Sequence, residues 1–247
     1  MEPGSPPRTI AVVSGELHVR TAGRPRRPAE PMAPALGARA VLVPIKAFAD
    51  AKQRLGGALN DREREALVRA MAARVLAASA PLPVAVVCDD AAVADWARER
   101  GALVVWEPGR GLNGAVEAGV DHLGRMGVRR VVVAHGDLPR AAGLADLGPF
   151  DGVTLVPDRH GDGTNVIELP TGCGFHFSYG PGSFERHRAE CGRIGLDARV
   201  LRVPALAHDV DWPDDLMTAG VRRYAGAVVA GAGATPPQDA ARPGTTA

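Results

Sequence analysis

Short runs of valine, leucine and alanine recur along the chain, and after each of the first three comes a segment whose apolar residues have helical spacing. The runs occupy residues 40–45, 83–90, 102–108, 128–137 and 151–158. Strands that are apolar at nearly every position are buried on both faces, as in parallel sheets that carry helices on both sides. This alternation predicts an α/β domain with a mainly parallel sheet.

Helices are predicted between and after these strands. Asn60 is expected to cap a helix over 61–80, because acidic residues follow it in the first turn. Gly101 is expected to end a helix over 91–101. Further helices are predicted over 111–127 and 181–195, and a last strand over 198–206. Glycine-rich loops follow the fifth apolar run and interrupt the alternation.

The two ends of the chain differ in composition from this central part. Residues 1–38 are rich in proline, arginine, glycine and alanine, and residues 224–247 are of low complexity. Segments of this kind bury too little apolar surface to fold. We therefore expect a disordered N-terminal extension, a domain over 39–223 and a flexible C-terminal tail.

The bulk composition limits the classes of partner. Of 247 residues, 46% are hydrophobic and 4% aromatic, and the formal net charge is +1. No basic stripe interleaved with aromatic residues is present, which argues against a nucleic-acid partner. No apolar run approaches the roughly 18 residues of a membrane span, and no signal-peptide pattern is found. Cys88, Cys173 and Cys191 form no CxxC pair, so we expect a reduced, cytoplasmic protein. We expect no membrane partner, and a homodimer is compatible with this composition.

The most apolar strand ends in an aspartate. The segment "VVVAHGDLPR" runs from valines to Asp137 and is stopped by Pro139. Aspartate, glycine and proline suit an ordinary turn, but the carboxyl ends of strands in open α/β sheets are also where ligands bind. Asp137 is therefore a candidate for catalysis and for metal binding.

A second group of carboxylates lies in "HDVDWPDDL". Asp209 and Asp211 are one residue apart, so in an extended segment both side chains point to the same side. Like charges this close repel each other unless a cation lies between them, and Mg²⁺ prefers carboxylate ligands together with substrate phosphates. Together with Asp137 the pair predicts a magnesium site. The next two aspartates, Asp214 and Asp215, are expected to begin a helix.

Three cations follow the first strand in "PIKAFADAKQRL". Lys46, Lys52 and Arg54 lie in one predicted loop at the carboxyl end of that strand. They can hold a polyphosphate there, although a solvated basic loop has the same composition. The segment matches neither GxxxxGK[ST] nor GxGxxG, which disfavours a P-loop kinase and a classical dinucleotide-binding dehydrogenase.

Two glycine-rich segments provide a second candidate anion site. In "DRHGDGTN" and "FSYGPGSFERH", backbone N–H groups can approach an anion closely, and Thr164 and Ser183 add hydroxyl donors. Ser183 is also expected near a helix N-terminus, which favours phosphate. Two ordinary surface loops are the alternative. A cationic loop, three carboxylates and a second anion site together suit a reaction between two phosphorylated reactants.

These five motifs and two further segments occur in the order found in one family. The segments "VPIKAFADAKQRL", "VVCDD", "GLNGAVEAG", "HGDLP", "DRHGDGTN", "YGPGSFERH" and "HDVDWPDDL" resemble the guanylyltransferases of coenzyme F-420 biosynthesis. The resemblance spans residues 40–217, and the order of the motifs makes it specific. It implies an α/β, Rossmann-like nucleotidyltransferase (GT-A-like) fold, a three-layer sandwich with a mainly parallel mixed sheet.

The resemblance also implies an activity and the residues that carry it. The reaction is transfer of GMP from GTP to the phosphate of phosphoenolpyruvate or 2-phospho-L-lactate, with release of pyrophosphate and Mg²⁺ as cofactor. The expected partners are GTP and a small phosphorylated carboxylic acid. Matched motif by motif, the GTP phosphates are contacted by Lys46, Lys52 and Arg54, and the acceptor is bound by Thr164, Gly180 and Ser183. The nucleoside is bound by Asp89, Asn113 and Gly114, and the metal is held by Asp137, Asp209 and Asp211.

Two other functions stay open at this point. One is another nucleotidyltransferase of the same fold, of the sugar-phosphate or molybdopterin type, although those open with a glycine-rich loop that this chain replaces with "PIKAFADAKQRL". The other is a non-catalytic nucleotide-binding regulator, against which the three candidate metal aspartates argue. 3-Phosphoglycerate is a third candidate acceptor, which the motifs do not separate from the other two. The sequence gives no role to His176, His187 or Trp212.

Overall fold

A seven-stranded sheet runs through the part of the chain that the structure describes. The structure is a computed structural model that describes residues 36–217 and Val221, and these belong to a compact unit that begins at Ala35. The predicted extension and tail lie almost wholly outside the described residues. The strands are Arg39–Pro44 (β1), Val84–Cys88 (β2), Leu103–Trp106 (β3), Arg130–Ala134 (β4), Val153–Pro157 (β5), Thr164–Pro170 (β6) and Ala198–Val200 (β7).

The sheet is mixed, with one strand that runs against its neighbours. The strand order is β3-β2-β1-β4-β6-β5-β7. The first four strands pair in parallel, as their apolar runs predicted. β6 pairs antiparallel with both β4 and β5, and β7 pairs in parallel with β5. The expectation of a mainly parallel mixed sheet is therefore confirmed.

Four α-helices of the described residues follow the predicted order. They are Asp61–Ala78 (α1), Ala91–Glu99 (α2), Gly111–Arg125 (α3) and Ser183–Arg193 (α4), with short 3₁₀ helices at Phe48–Asp50, Gln53–Leu55, Leu144–Asp146 and Pro213–Met217. The predicted cap at Asn60 is confirmed, because its side chain accepts the N–H of Glu63 and the Glu63 carboxylate accepts the N–H of Asn60. No described helix has both the length and the apolar character that crossing a membrane requires.

The helices form two layers, one on each face of the sheet. One apolar cluster joins α1 and α2 to Val41 and Val43 of β1, and a second joins α3 and α4 to Leu42. Successive β1 side chains thus enter opposite layers, as the period of a strand requires. Gly119 lets α3 approach closely, since a Cβ atom there would lie 2.7 Å from Leu42 Cδ2. This is the predicted three-layer arrangement.

Two strands differ from the sequence expectation. β6 lies where glycine-rich loops were predicted to continue. It was not predicted as a strand because Glu168 interrupts its apolar residues. That carboxylate is 2% exposed and is paired with Arg39 and Arg130, so it can occupy a buried strand. The predicted strand 198–206 ends already at Val200. It is the last strand of the sheet, and Pro204 lacks the N–H that continued pairing would use.

Candidate active site

A cavity of about 700 Å³ lies at the carboxyl ends of β1 and β4. Because β6 is antiparallel to β4, its amino end lies at the same edge of the sheet. This edge is where open α/β sheets bind ligands, and the volume suits a ligand of nucleotide size. Nine of the twelve predicted site residues line the cavity: Lys46, Lys52, Arg54, Asp137, Thr164, Gly180, Ser183, Asp209 and Asp211.

Lys52 joins the two carboxylate motifs of the cavity. Its Nζ donates to Asp137 Oδ2 at 2.5 Å and to Asp211 Oδ1 at 2.6 Å. Burial alone would lower the pKa of Lys52, but the attraction of the two carboxylates outweighs it and raises that pKa above its usual value. Burial would raise the pKa of Asp137, and the ammonium of Lys52 lowers it instead. Both partners are therefore charged at neutral pH.

The carboxylates of this cluster outnumber its cation. The carboxylate of Asp209 forms no ion pair or hydrogen bond with another side chain of the described residues, and burial together with Asp137 and Asp211 raises its pKa to about 6. Asp137 Oδ1 is buried and has no hydrogen-bond partner among residues 36–217. Three carboxylates thus lie near one ammonium, and the buried Asp137 Oδ1 has no hydrogen-bond donor among the described residues.

This surplus of negative charge fits a divalent cation. An unpartnered buried carboxylate oxygen costs free energy unless a ligand satisfies it, and hard cations prefer such oxygens. Within the described part of the chain, no three carboxylate, imidazole or thiolate groups stand together as a ready metal site, because Lys52 lies between Asp137 and Asp211. The metal role of the three aspartates therefore stays a prediction.

Asp215 holds the segment that carries Asp211. Its Oδ2 accepts the backbone N–H groups of Asp211 and Trp212, each at 2.8 Å. Its Oδ1 pairs with Arg159, whose other nitrogen donates to the carbonyl of Asp209. As predicted, Asp215 lies in a short helix, Pro213–Met217. Its buried carboxylate also fixes the position of the two aspartates before it.

A further wall of the cavity carries the hydroxyl groups of Thr164 and Ser183. Ser183 is the first residue of α4, and its Oγ accepts the N–H of Thr164 at 3.1 Å. The loop before Thr164 is held by Asp158, whose carboxylate accepts the N–H groups of His160, Asp162 and Gly163. At Gly180 the backbone has φ +119°, which a residue with a Cβ rarely adopts. The wall is therefore shaped locally by turn chemistry.

The cationic loop reaches the mouth of the cavity. Lys46 and Arg54 are exposed there, and the guanidinium of Arg54 stacks over the ring of Trp212 at 4.8 Å. A cation over an indole face is a favourable contact. Trp212, which had no predicted role, thus connects this loop to the segment that carries Asp211.

The three predicted nucleoside residues lie outside this set. Asp89, Asn113 and Gly114 do not line the cavity. The Oδ1 of Asn113 accepts the N–H of Tyr179 at 2.8 Å, so this side chain supports the wall on which Tyr179 lies. Their contact with a nucleoside stays a prediction.

Two polar rings that line the cavity are not among the predicted site residues. The rings of His135 and Tyr179 meet edge to face, with centroids 4.6 Å apart. His135 Nε2 and the Tyr179 hydroxyl are both buried without a hydrogen-bond partner in the described residues. Such groups call for a water or a ligand. No spacing rule identifies them, although both stand beside motif residues, in "HGD" and "YGPG".

Sequence comparison places the chain near one set of enzymes. The family model described as "Guanylyl transferase CofC like" matches residues 39–221. A protein of Sphaerobacter thermophilus named phosphoenolpyruvate guanylyltransferase is 36% identical over 184 residues, which cover 71% of this chain and 89% of that protein. A protein of the same name from Conexibacter woesei is 37% identical over 188 residues, with coverages of 71% and 84%.

Solved structures are similar in fold at low sequence identity. A putative nucleotide-diphospho-sugar transferase from Desulfovibrio desulfuricans has a TM-score of 0.59 at 16% identity, covering 78% of this chain and 97% of that one. A nucleotidyl transferase from Methanothermobacter thermautotroptrophicus has a TM-score of 0.54 at 13% identity, with coverages of 79% and 99%. These similarities support the Rossmann-like nucleotidyltransferase fold.

Proposed function

The chain belongs to the CofC-like guanylyl transferase family and is a nucleotidyltransferase, and on that premise we propose that it transfers GMP from GTP to the phosphate of phosphoenolpyruvate. A phosphate oxygen of the acceptor forms a bond to the α-phosphorus of GTP. The bond from that phosphorus to the bridging oxygen breaks, and pyrophosphate leaves with the electron pair. We assign the reaction to coenzyme F-420 biosynthesis, as the motif resemblance implies.

The observation that carries this proposal is the distribution of charge around one cavity. Lys46 and Arg54 line it as exposed cations, Lys52 lies between the carboxylates of Asp137 and Asp211, and Thr164 and Ser183 line it with hydroxyl groups. Two polyanions repel each other in water, so a catalyst that joins them must neutralise and position both. The attacking phosphate is already anionic and needs no strong general base.

The proposed roles follow from these positions. Lys46, Lys52 and Arg54 hold the GTP phosphates through charge and, for arginine, through a bidentate fork. The acceptor's phosphate and carboxylate lie against the hydroxyl wall, where they contact Thr164, Gly180 and Ser183. For the nucleoside we keep Asp89, Asn113 and Gly114, because the adjoining Leu112 does line the cavity.

We propose Mg²⁺ as the cofactor and Asp137, Asp209 and Asp211 as the residues that would hold it. The surplus carboxylate charge and the unpartnered Asp137 oxygen support this assignment. When bound, the ion supplies Lewis-acid stabilisation of charge on the transferring phosphoryl group. Lys52 keeps the carboxylates of Asp137 and Asp211 together and lies close enough to reach a phosphate beside them.

We further propose that the enzyme works in the cytoplasm. All three cysteines are free, and two of them are buried. Free thiols are typical of reducing compartments.

The proposal is tested by measuring pyrophosphate release by the purified protein. GTP and Mg²⁺ are supplied with phosphoenolpyruvate, 2-phospho-L-lactate or 3-phosphoglycerate in turn, and we expect release with phosphoenolpyruvate. Replacing GTP with CTP, UTP or ATP tests the base. Release with a sugar phosphate but none of the three acids would identify a different nucleotidyltransferase, and no release alongside an active relative would contradict the proposal.

A further inference from the structure

His187 is a fully buried histidine that the proposed mechanism does not use. It lies on α4, one turn after Ser183, and is 0% exposed. The rings of Phe175 and Tyr179 pack around it, with centroids at 5.7 Å and 5.0 Å. It is not among the residues that line the cavity. An imidazole buried among aromatic rings needs partners for both nitrogens.

Both ring nitrogens of His187 have a partner, and the partners fix the tautomer. The backbone N–H of Ser178 donates to Nε2 at 3.0 Å. An amide N–H can only donate, so Nε2 carries no proton and the neutral ring must carry its proton on Nδ1. Nδ1 lies 3.0 Å from Thr164 Oγ1. The ring therefore donates to the threonine hydroxyl.

This bond determines the direction in which the Thr164 hydroxyl can act. With Nδ1–H occupying a lone pair of Oγ1, the hydroxyl proton is left to donate elsewhere. No residue of the described chain accepts it, and Thr164 lines the cavity. The same holds at Ser183, whose Oγ accepts the N–H of Thr164 and keeps its own proton for the cavity. The wall therefore presents two hydroxyl donors.

We propose that His187 is a positioning residue that commits the Thr164 hydroxyl to donating a hydrogen bond to an anionic oxygen of the acceptor. The inference rests on the proposed function, in which this wall binds the acceptor. It also adds a specificity rule, because a wall of committed donors favours ionised carboxylate or phosphate oxygens over a group that must itself donate. Without His187, Thr164 can turn its proton away and offer a lone pair instead.

Two substitutions separate this role from simple packing. The amide nitrogen of asparagine is as many bonds from Cα as Nδ1, so His187→Asn keeps a donor for Thr164 and loses the acceptor for Ser178. The amide oxygen of glutamine is as many bonds away as Nε2, so His187→Gln keeps that acceptor and loses the donor. Each variant thus retains one of the two hydrogen bonds.

We expect His187→Gln to raise the KM for the acceptor about tenfold or more, as loss of a hydrogen bond to a charged group does. His187→Asn should stay within about threefold of the parent protein, and the KM for GTP should not distinguish the two variants. In a Thr164→Val background, His187→Gln should have no further effect on the acceptor KM, because the two residues act through one hydroxyl. Equal KM increases in both variants, or an undiminished effect in the valine background, would overturn the inference.

A measurement on the unaltered protein guards against loss of fold in the variants. The ¹⁵N chemical shifts of the His187 ring report the tautomer, and we expect a proton on Nδ1. A proton on Nε2 overturns the inference directly. If the parent protein shows the expected tautomer but turns over no acceptor, the proposed function fails while the geometry of His187 stands.

Discussion

Lys52 Nζ lies 2.5 Å from Asp137 Oδ2, across 85 residues of sequence. The lysine has the left-handed backbone conformation, with φ 56°, which is uncommon for a residue with a side chain. The loop thus adopts an unfavourable local conformation and brings the ammonium between two carboxylates. The ammonium holds together groups that would otherwise repel each other.

We expect Lys52→Met to destabilise the protein when no divalent cation is present. The substitution leaves the Asp137 carboxylate buried without its partner, which we expect to cost about 1–3 kcal/mol in the free energy of unfolding. Urea denaturation measures the loss, and added Mg²⁺ should recover part of it. Lys46→Met, in the same loop but exposed, is the matched control. An unchanged stability of the Lys52 variant would show that the ion pair contributes little.

Asp137→Asn and Asp211→Asn should each lower kcat/KM by roughly a hundredfold or more, because an amide is a much weaker ligand for a hard cation than a carboxylate. Pyrophosphate release measures the effect, and circular dichroism checks the fold. Asp214→Asn is the control, since that side chain is exposed and does not line the cavity. Near-normal rates in both variants would remove the metal assignment.

Tyr179→Phe should separate stability from binding. The hydroxyl is buried without a partner in the described residues, so its removal should leave the free energy of unfolding without substrates unchanged or slightly higher. If substrate supplies the missing partner, kcat/KM should fall about tenfold at the same time. A variant that loses stability in the absence of substrates would show that a structural water already satisfies the hydroxyl.

The stability of the fold should depend on pH through His187. Burial, with a smaller contribution from Arg186 and His135, lowers its pKa from 6.5 to about 4, and Glu190 opposes this. Between these values the unfolded chain binds a proton that the folded chain does not, so stability falls as pH drops from 6.5 towards 4. The full loss is roughly 3 kcal/mol.

A comparison with His187→Gln isolates this contribution. Asp209 acts in the opposite sense, because its pKa is raised to about 6 and its protonation favours the folded chain as the pH falls. It is present in both proteins, so the difference between their denaturation profiles reports the imidazole. Between pH 6.5 and 4, the free energy of unfolding should fall less in the variant than in the parent protein. Equal falls in the two proteins would show that the pKa of His187 is not lowered by folding.

The sequence predicts the strands that are apolar throughout and misses the one whose partners are distant. β1 to β4 are recognised because valine and leucine fill them. β6 is missed because Glu168 interrupts it, and the compensating cations lie 129 and 38 residues away, at Arg39 and Arg130. Local composition cannot reveal that pairing.

The same distinction applies to the candidate site. Residues in motifs, such as Lys52, Asp211 and Thr164, line one cavity as their order suggested. His187 and Tyr179 lie at the two ends of the motif "YGPGSFERH", but its spacing assigns them no role, because their contributions depend on which nitrogen or oxygen a neighbouring backbone group reaches. Those contacts arise only when α4 packs against the sheet.

The reversed direction of β6 brings the amino end of this strand, at Thr164, to the cavity. Had this strand run parallel to β4, its carboxyl end, at Pro170, would lie at the cavity in place of Thr164. In the reversed direction the strand begins at the cavity with Thr164, whose neighbour Asn165 accepts the N–H of His135 through its carbonyl. The contact that we propose between Thr164 and the acceptor would therefore be anchored in the hydrogen-bonded backbone of the sheet, as a rigid reference point for aligning the triphosphate.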